Sequence, residues 1–224
     1  GGDLGEFRPL LKEKASRQLT ISHQHVILWP RGLWGYLNSD IFLQAMMDFL
    51  PHHPQTLVIM LSKVGAEEVP KCQEEISKQG LTKNFRWESQ IDHERMPIYY
   101  SAADVMVSLS SNDSLPNVML EAMACGTPVI MSDIVQIREW VESGKNCWLV
   151  PPRDTQSLLT ALTQVFDPSN KTIIDNFIKA NRKKILQEAD STTNAQAVRD
   201  LVWRVARGDQ VADEVLMDEK QSRK

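Results

Sequence analysis

Short runs of β-branched and aliphatic residues alternate along the chain with longer stretches in which apolar residues recur at helical spacing. That alternation is the pattern of βαβ units and a parallel sheet. The runs fall at residues 25–29, 56–61, 84–88, 104–110, 128–132 and 147–150, so six strands are predicted. LVIML at 57–61 and VMVSL at 105–109 are apolar at consecutive positions, as expected of strands covered by helices on both faces. Helices are predicted over 39–50, 66–78, 96–102, 117–125, 134–142 and 155–166. Pro51, Gly80, the Gly126-Thr127-Pro128 turn and Gly144 each close a helix before the next strand, and Asp154 offers a capping start. Beyond Asp167 and Pro168 the pattern is helical over 171–189 and 193–207, and the polar stretch 208–224 reads as frayed.

Composition narrows the class. With 224 residues and 42% hydrophobic content the chain can bury a sizeable core, so disorder is not the expectation. A formal charge of −4 provides no overall field for nucleic acid or an anionic membrane, and any anion must be held locally. Cys72, Cys125 and Cys147 are odd in number and far apart, which offers neither a disulfide framework nor a Cys-x-x-Cys metal site and fits a reducing, cytoplasmic setting. No apolar run approaches the roughly 20 residues needed to span a bilayer. The chain opens Gly1-Gly2-Asp3 without a methionine, and residues 1–15 read as a linker entering a domain from elsewhere.

The chemistry concentrates in SLSSNDSLPNVMLEAMACGTPVIMSD, residues 108–133, where a buried strand leads through a polar loop and a helix to a Gly-x-Pro turn and the next strand. In an open parallel sheet, ligands bind beyond the carboxyl ends of the strands, where loops meet helix N-termini. Pro116 suits the first turn of the helix that follows, whose unpaired N–H groups and positive dipole end would face an anion such as a phosphate. Glu121 lies about one and a half turns into that helix beside Val118, Leu120 and Met123. A buried carboxylate needs donors, which vicinal sugar hydroxyls or a neighbouring basic residue would supply.

Glu121-Ala-Met-Ala-Cys-Gly-Thr-Pro-Val129, with an acid eight positions earlier at Asp113, resembles the signature of glycosyltransferase family 4, retaining enzymes of GT-B fold. The residues Gly1-Gly2-Asp3-Leu4 and Phe7-Arg8-Pro9 resemble the family's interdomain linker, IYYSAADVMVS its helix-to-strand step, and NCWLVPPRDTQSL the end of its sheet. The resemblance covers nearly the whole chain to Phe166. It implies an α/β, Rossmann-like, six-stranded parallel sheet forming the C-terminal half of a GT-B fold. The implied parts are a linker at 1–15, a nucleotide-sugar-binding domain at 16–168, C-terminal helices at 169–207 and a tail at 208–224.

By the same resemblance Glu121 holds the ribose hydroxyls of a nucleoside-diphosphate sugar and Asp113 contacts the transferred sugar. Asp113 is one methylene shorter than the family's usual Glu, which alters its reach. Backbone N–H groups of Ser114, Leu115, Pro116 and Asn117, Pro116 having none of its own, mark the stretch that meets phosphate or sugar. Arg31 follows the first strand where a phosphate would lie; Arg grips phosphate bidentately and keeps its charge. The family's Lys, five or six residues later, is replaced by Tyr36 or Leu37, so that either one phosphate cation is absent or Lys63 after strand two substitutes for it. The competing reading of Arg31 and Lys63 is a solvated loop cation. Gln90 and Ile91 occupy the loop where the family packs the nucleobase, mainly on backbone groups.

The resemblance further implies a metal-independent hexosyltransferase with no cofactor beyond its sugar-nucleotide substrate. Its acceptor, a glycan or lipid-linked saccharide, would be held by an N-terminal domain that also supplies peripheral membrane contact, and polysaccharide biosynthesis is the implied setting. His52-His53 reads as a surface loop, and His23, His25 and His93 gain no Ser or Cys partner at a meaningful spacing. Neither Gly-x-Gly-x-x-Gly nor a P-loop is present. Trp34, Trp140 and Trp148 are expected to be packing residues. Two alternatives stay open: a donor-fold module that binds nucleotide or a partner without turnover, and an epimerase of the same fold, whose site residues are not recognisable.

Overall fold

The computed structural model describes residues 6–33, 35–62, 66–89, 91–113, 116–185 and 187. Six strands, β1 (His25–Trp29), β2 (Thr56–Ser62), β3 (Phe85–Ser89), β4 (Val105–Ser108), β5 (Val129–Ser132) and β6 (Trp148–Val150), form one sheet in the order β3-β2-β1-β4-β5-β6. Every pairing is parallel. The helices are α1 (Lys12–Gln18), α2 (Ser39–Phe49), α3 (Glu68–Lys78), α4 (Met96–Ala102), α5 (Asn117–Ala124), α6 (Val135–Arg138), α7 (Thr155–Phe166) and α8 (Lys171–Lys184).

The period of two along a strand sends successive side chains to opposite faces. Val26 and Leu28 of β1 enter one buried cluster with Met106, Tyr100, Met119 and Met131. Ile27 and Trp29 enter a second cluster with Phe42, Met46, Val107 and Leu162. Consecutive apolar residues in β1, β2 and β4 are therefore required rather than incidental, because both faces are covered. Helix α2 packs on α7 on one side, and α4 packs on α1 and α5 on the other. Helix α8 connects the two layers: Phe177 packs against Trp148 at 4.8 Å in the second cluster, while Ile185, just past its end, joins the first.

The expected breakers stand where the chain turns. Gly126 adopts φ +78°, a left-handed conformation that disfavours any side chain, and a Cβ there would meet Ile178 Cγ2 at 3.4 Å and Pro9 Cγ at 3.7 Å. Asp154 caps α7 by accepting from the Ser157 N–H at 2.9 Å. Pattern and structure differ at several edges. The predicted strand over 104–110 is trimmed to Val105–Ser108, and the predicted helix over 134–142 to Val135–Arg138. Helix α1 begins inside the stretch read as linker. The predicted helix over 193–207 and the tail lie outside the described residues.

Asp104 explains one trimmed edge. Its Oδ2 accepts the Val26 N–H at 2.8 Å and its Oδ1 pairs with Lys12, tying the start of β1 to α1. Asp104→Ala would leave the fully buried Val26 without that acceptor. A loss of about 1–3 kcal/mol in unfolding free energy is expected, read from the denaturant midpoint. An unchanged midpoint would show that the link carries no stability.

Candidate functional site

The strand order places β1 and β4 side by side. The chain runs outward from β1 through β2 to β3, then returns to the other side of β1 as β4. That reversal opens a crevice at the carboxyl ends of β1 and β4, the place where doubly wound sheets bind ligands. The loops that follow these two strands carry most of the polar residues singled out in the sequence.

After β1, Arg31 turns across the switch point. Its guanidinium pairs with Asp113 Oδ2 and donates to Ser110 Oγ at 3.3 Å, and the Ser110 hydroxyl donates to Asp113 at 3.0 Å. Both charged side chains are largely withdrawn from solvent. The cation expected on phosphate and the acid expected on the sugar are thus partners of each other in this state.

Asn38 knits the two loops together. It is buried and adopts φ +54°, a region Asn tolerates better than most residues. Its Nδ2 donates to Leu109 O at 2.6 Å and Ser111 Oγ at 2.7 Å, while the Ser111 N–H donates to Tyr36 O at 2.8 Å. Arg153 donates to Asn38 Oδ1 at 3.1 Å and to Asp40 at 2.8 Å, adding the loop after β6 to the same frame.

Glu121 projects from α5 and is only 7% exposed. The Tyr100 hydroxyl donates to its Oε2 at 2.8 Å. His93 Nε2 lies 3.0 Å from Oε1 and donates there when that nitrogen carries the hydrogen. The sugar hydroxyls expected to satisfy this carboxylate therefore have protein counterparts. Two oxygens offer about four lone-pair positions, so acceptor capacity remains. Burial first, and then the charge and hydrogen bond of Glu121, push the Tyr100 hydroxyl well above its usual range, so it stays a donor. Arg31 acts on the same hydroxyl in the opposite sense, which places the two clusters in one electrostatic neighbourhood.

Pro116 stands at the N-cap of α5 with ψ 119°, one position outside the first turn predicted for it. Helical dihedrals begin at Asn117, which is exposed at the amino end of α5. Ile91 packs on the first hydrophobic cluster, two residues ahead of His93. Lys63, Gln90, Ser114, Leu115 and Trp34 lie outside the described residues.

Three participants escaped the sequence reading. His93 was set aside for want of a Ser or Cys, yet its partner is a carboxylate. Tyr100 looked like one apolar residue among many in α4. Asn38 carried no signal except its place before a helix. The two positions that replace the family's Lys differ in burial: Leu37 is 2% exposed within the second cluster, whereas Tyr36 is 52% exposed. A cation could be carried at the solvent-exposed position 36 but not at the buried position 37.

Cys125 and Cys147 are buried thiols that stay protonated: burial pushes both up to about 12. Trp148 packs as expected and donates to Gln164 at 2.8 Å. His53 stacks on Phe49 at 3.9 Å. No helix among the described residues is long and apolar enough to cross a membrane.

A six-stranded parallel sheet wound in this order, with helices on both faces, is a Rossmann-like fold of the kind that forms each half of the GT-B architecture. The chain belongs to the family Glycosyl transferases group 1, whose model matches residues 24–167. It is 31% identical over 182 residues to a D-inositol 3-phosphate glycosyltransferase of Corynebacterium urealyticum, a match covering 77% of this chain and 43% of that protein. The chain spans less than half the length of the curated relatives it matches. Among solved structures it is similar to the C-terminal domain of a glycosyl transferase group 1 family protein (LpcC) from Francisella tularensis. The TM-score is 0.77 at 18% identity, over 85% of this chain and all of that one. It also resembles Anabaena Alr3699/HepE in complex with UDP and glucose, with a TM-score of 0.79 at 20% identity over 90% of this chain and 55% of that one.

Proposed function

We propose that this chain is the donor-binding part of a retaining glycosyltransferase that takes a sugar from a nucleoside-diphosphate sugar and delivers it to a glycan or lipid-linked acceptor. The observation that carries this reading is a buried Glu121 on α5, hydrogen-bonded by Tyr100, together with an Arg31–Asp113 ion pair that joins the loops after β1 and β4 at the switch point. In this reading Glu121 takes the ribose diol, Arg31 and the amino end of α5 take the diphosphate, and Asp113 takes the transferred sugar. The UDP bound by HepE supports a nucleotide of this class.

Catalysis in this reading comes from stabilising the departing diphosphate, whose growing charge Arg31 and the α5 dipole would meet without a metal. Lys63 remains the further candidate cation, with Gln90 and Ile91 beside the base and Ser114 to Asn117 along the phosphate. The acceptor would be held by a second domain closing over the crevice, so the chain alone is expected to bind donor and not to transfer it. The cytoplasm, with peripheral attachment to a membrane through that second domain, is the proposed setting. A second reading, binding without turnover, is favoured by one observation: Tyr36 and Leu37, where the resemblance implies a phosphate-binding Lys, carry no charge, and Leu37 is buried.

Arg31→Gln should weaken both nucleoside diphosphate and sugar nucleotide by about 1.5–3 kcal/mol, the worth of hydrogen bonds to a charged group. Asp113→Glu keeps a carboxylate partner for Arg31, so it should affect the bare diphosphate less than the complete sugar nucleotide. Calorimetric titration of both ligands into both variants separates the roles. Equal effects of Asp113→Glu on the two ligands would contradict the assignment, and robust transfer by the chain alone would contradict its being only the donor part.

A further inference from the structure

The two oxygens of Glu121 are held by partners of opposite character. Tyr100, on Oε2, is fully buried, and its backbone is fixed as well: Thr127 Oγ1 donates to the Tyr100 carbonyl at 2.7 Å. Helix α4, which carries it, is pinned between α1 and α5, and Ser101 Oγ accepts the Leu10 N–H at 3.1 Å. His93, on Oε1, sits on a short turn with its side chain 65% exposed, its ring edge-on to Phe7 at 5.0 Å. One partner cannot move without disturbing the core, and the other can swing into solvent.

We propose that Tyr100 is a positioning residue for the nucleotide: its hydroxyl anchors Oε2 of Glu121 so that Oε1, held by the exposed His93, is the oxygen presented to the ribose diol. The inference rests on the donor-site reading above. A neutral donor suits this task, because it fixes the carboxylate without cancelling the charge that strengthens bonds to the incoming hydroxyls. A lysine or arginine at the same place would hold the side chain equally well and neutralise it. Without the anchor Glu121 samples other rotamers, and each bond to the diol then has to meet the cost of ordering it. His93 occupies the diol's place in the empty site and is displaced when the ribose arrives.

The test compares three ligands on the full chain: whichever of UDP, GDP and ADP binds the wild type most tightly, its 2′,3′-dideoxy counterpart, and inorganic pyrophosphate. In the wild type the ribose hydroxyls should improve affinity about tenfold or more, the scale of charge-assisted hydrogen bonds. In Tyr100→Phe that advantage should shrink to about threefold or less while pyrophosphate affinity stays near wild type, even though loss of the buried hydrogen bond to Glu121 lowers the melting temperature. In Glu121→Gln the addition of Tyr100→Phe should cost nothing further, since the two act through one interaction. His93→Ala, a surface change, should preserve or increase the hydroxyl advantage.

Two results would overturn the proposal while sparing the donor site. One is a wild-type hydroxyl advantage in Tyr100→Phe, or an equal loss of all three ligands, which marks a purely structural role. The other is loss of the advantage in His93→Ala, which reverses the assignment of the two oxygens. If the folded wild type binds none of the three nucleotides, the donor-site reading fails and the inference fails with it.

Discussion

Glu121→Gln is expected to weaken nucleotide binding by about 1–3 kcal/mol, roughly 5- to 150-fold, with a smaller effect on stability. The substitution keeps size and removes charge. Tyr100 can still donate to the amide oxygen, and His93 can accept from the amide nitrogen in its other tautomer, so the packing of α5 on α4 survives. The diol, by contrast, loses a charged acceptor that is itself only 7% exposed. Calorimetry and thermal melting on the same protein decide the matter. An unaltered affinity combined with a steep fall in melting temperature would make Glu121 a structural residue that holds α4, α5 and the 93–95 turn together.

A lysine at position 37 should be severely destabilising, and one at position 36 should not. Leu37 is buried in the cluster that contains Trp29, Phe42 and Leu109. Removing a buried leucine side chain costs about 2–5 kcal/mol, and placing an ammonium there adds a desolvation penalty. Against a total stability of about 5–15 kcal/mol, Leu37→Lys should unfold much of the population or lower the denaturant midpoint sharply. Tyr36→Lys, on an exposed side chain, should change stability by about 0.5 kcal/mol or less. In the donor-site reading it also sets a cation beside the diphosphate, tightening it by about 0.2–1 kcal/mol and less at high salt. Equal tolerance of the two lysines would contradict the burial of Leu37. Tighter diphosphate binding in Leu37→Lys than in Tyr36→Lys would contradict the placement of the crevice.

How far the sequence was legible follows from what each residue answers to. Strands such as His25–Trp29 were readable because covering on both faces demands unbroken apolar runs, a local signal. The strand over 104–110 was read too long because Asp104 belongs to a cap on β1, and Leu109 and Ser110 to the loop that Asn38 holds. Helix α1 was missed because Ala15 is its one buried residue, too little to make an apolar stripe. In the site, Arg31, Asp113 and Glu121 could be singled out because each follows a strand or sits in a contiguous signature. The bonds from Glu121 to His93 and Tyr100 span 28 and 21 positions and exist only once α4 packs on α5. Leu37 and Tyr36 differ in which way a single turn faces, and spacing from Arg31 does not determine that.

The central claim, that the crevice at the β1/β4 switch binds a sugar nucleotide, is tested most directly by titrating the chain with UDP-, GDP- and ADP-sugars while following its melting temperature. Binding to the folded state alone stabilises by RT ln(1 + [L]/Kd), about 2.7 kcal/mol at a hundredfold excess over Kd. The account predicts saturable binding of at least one of these donors at a single site, with the melting temperature rising to match and Glu121→Gln weakening both signals. A folded chain whose melting temperature is unmoved by all three donors at millimolar concentration would contradict it.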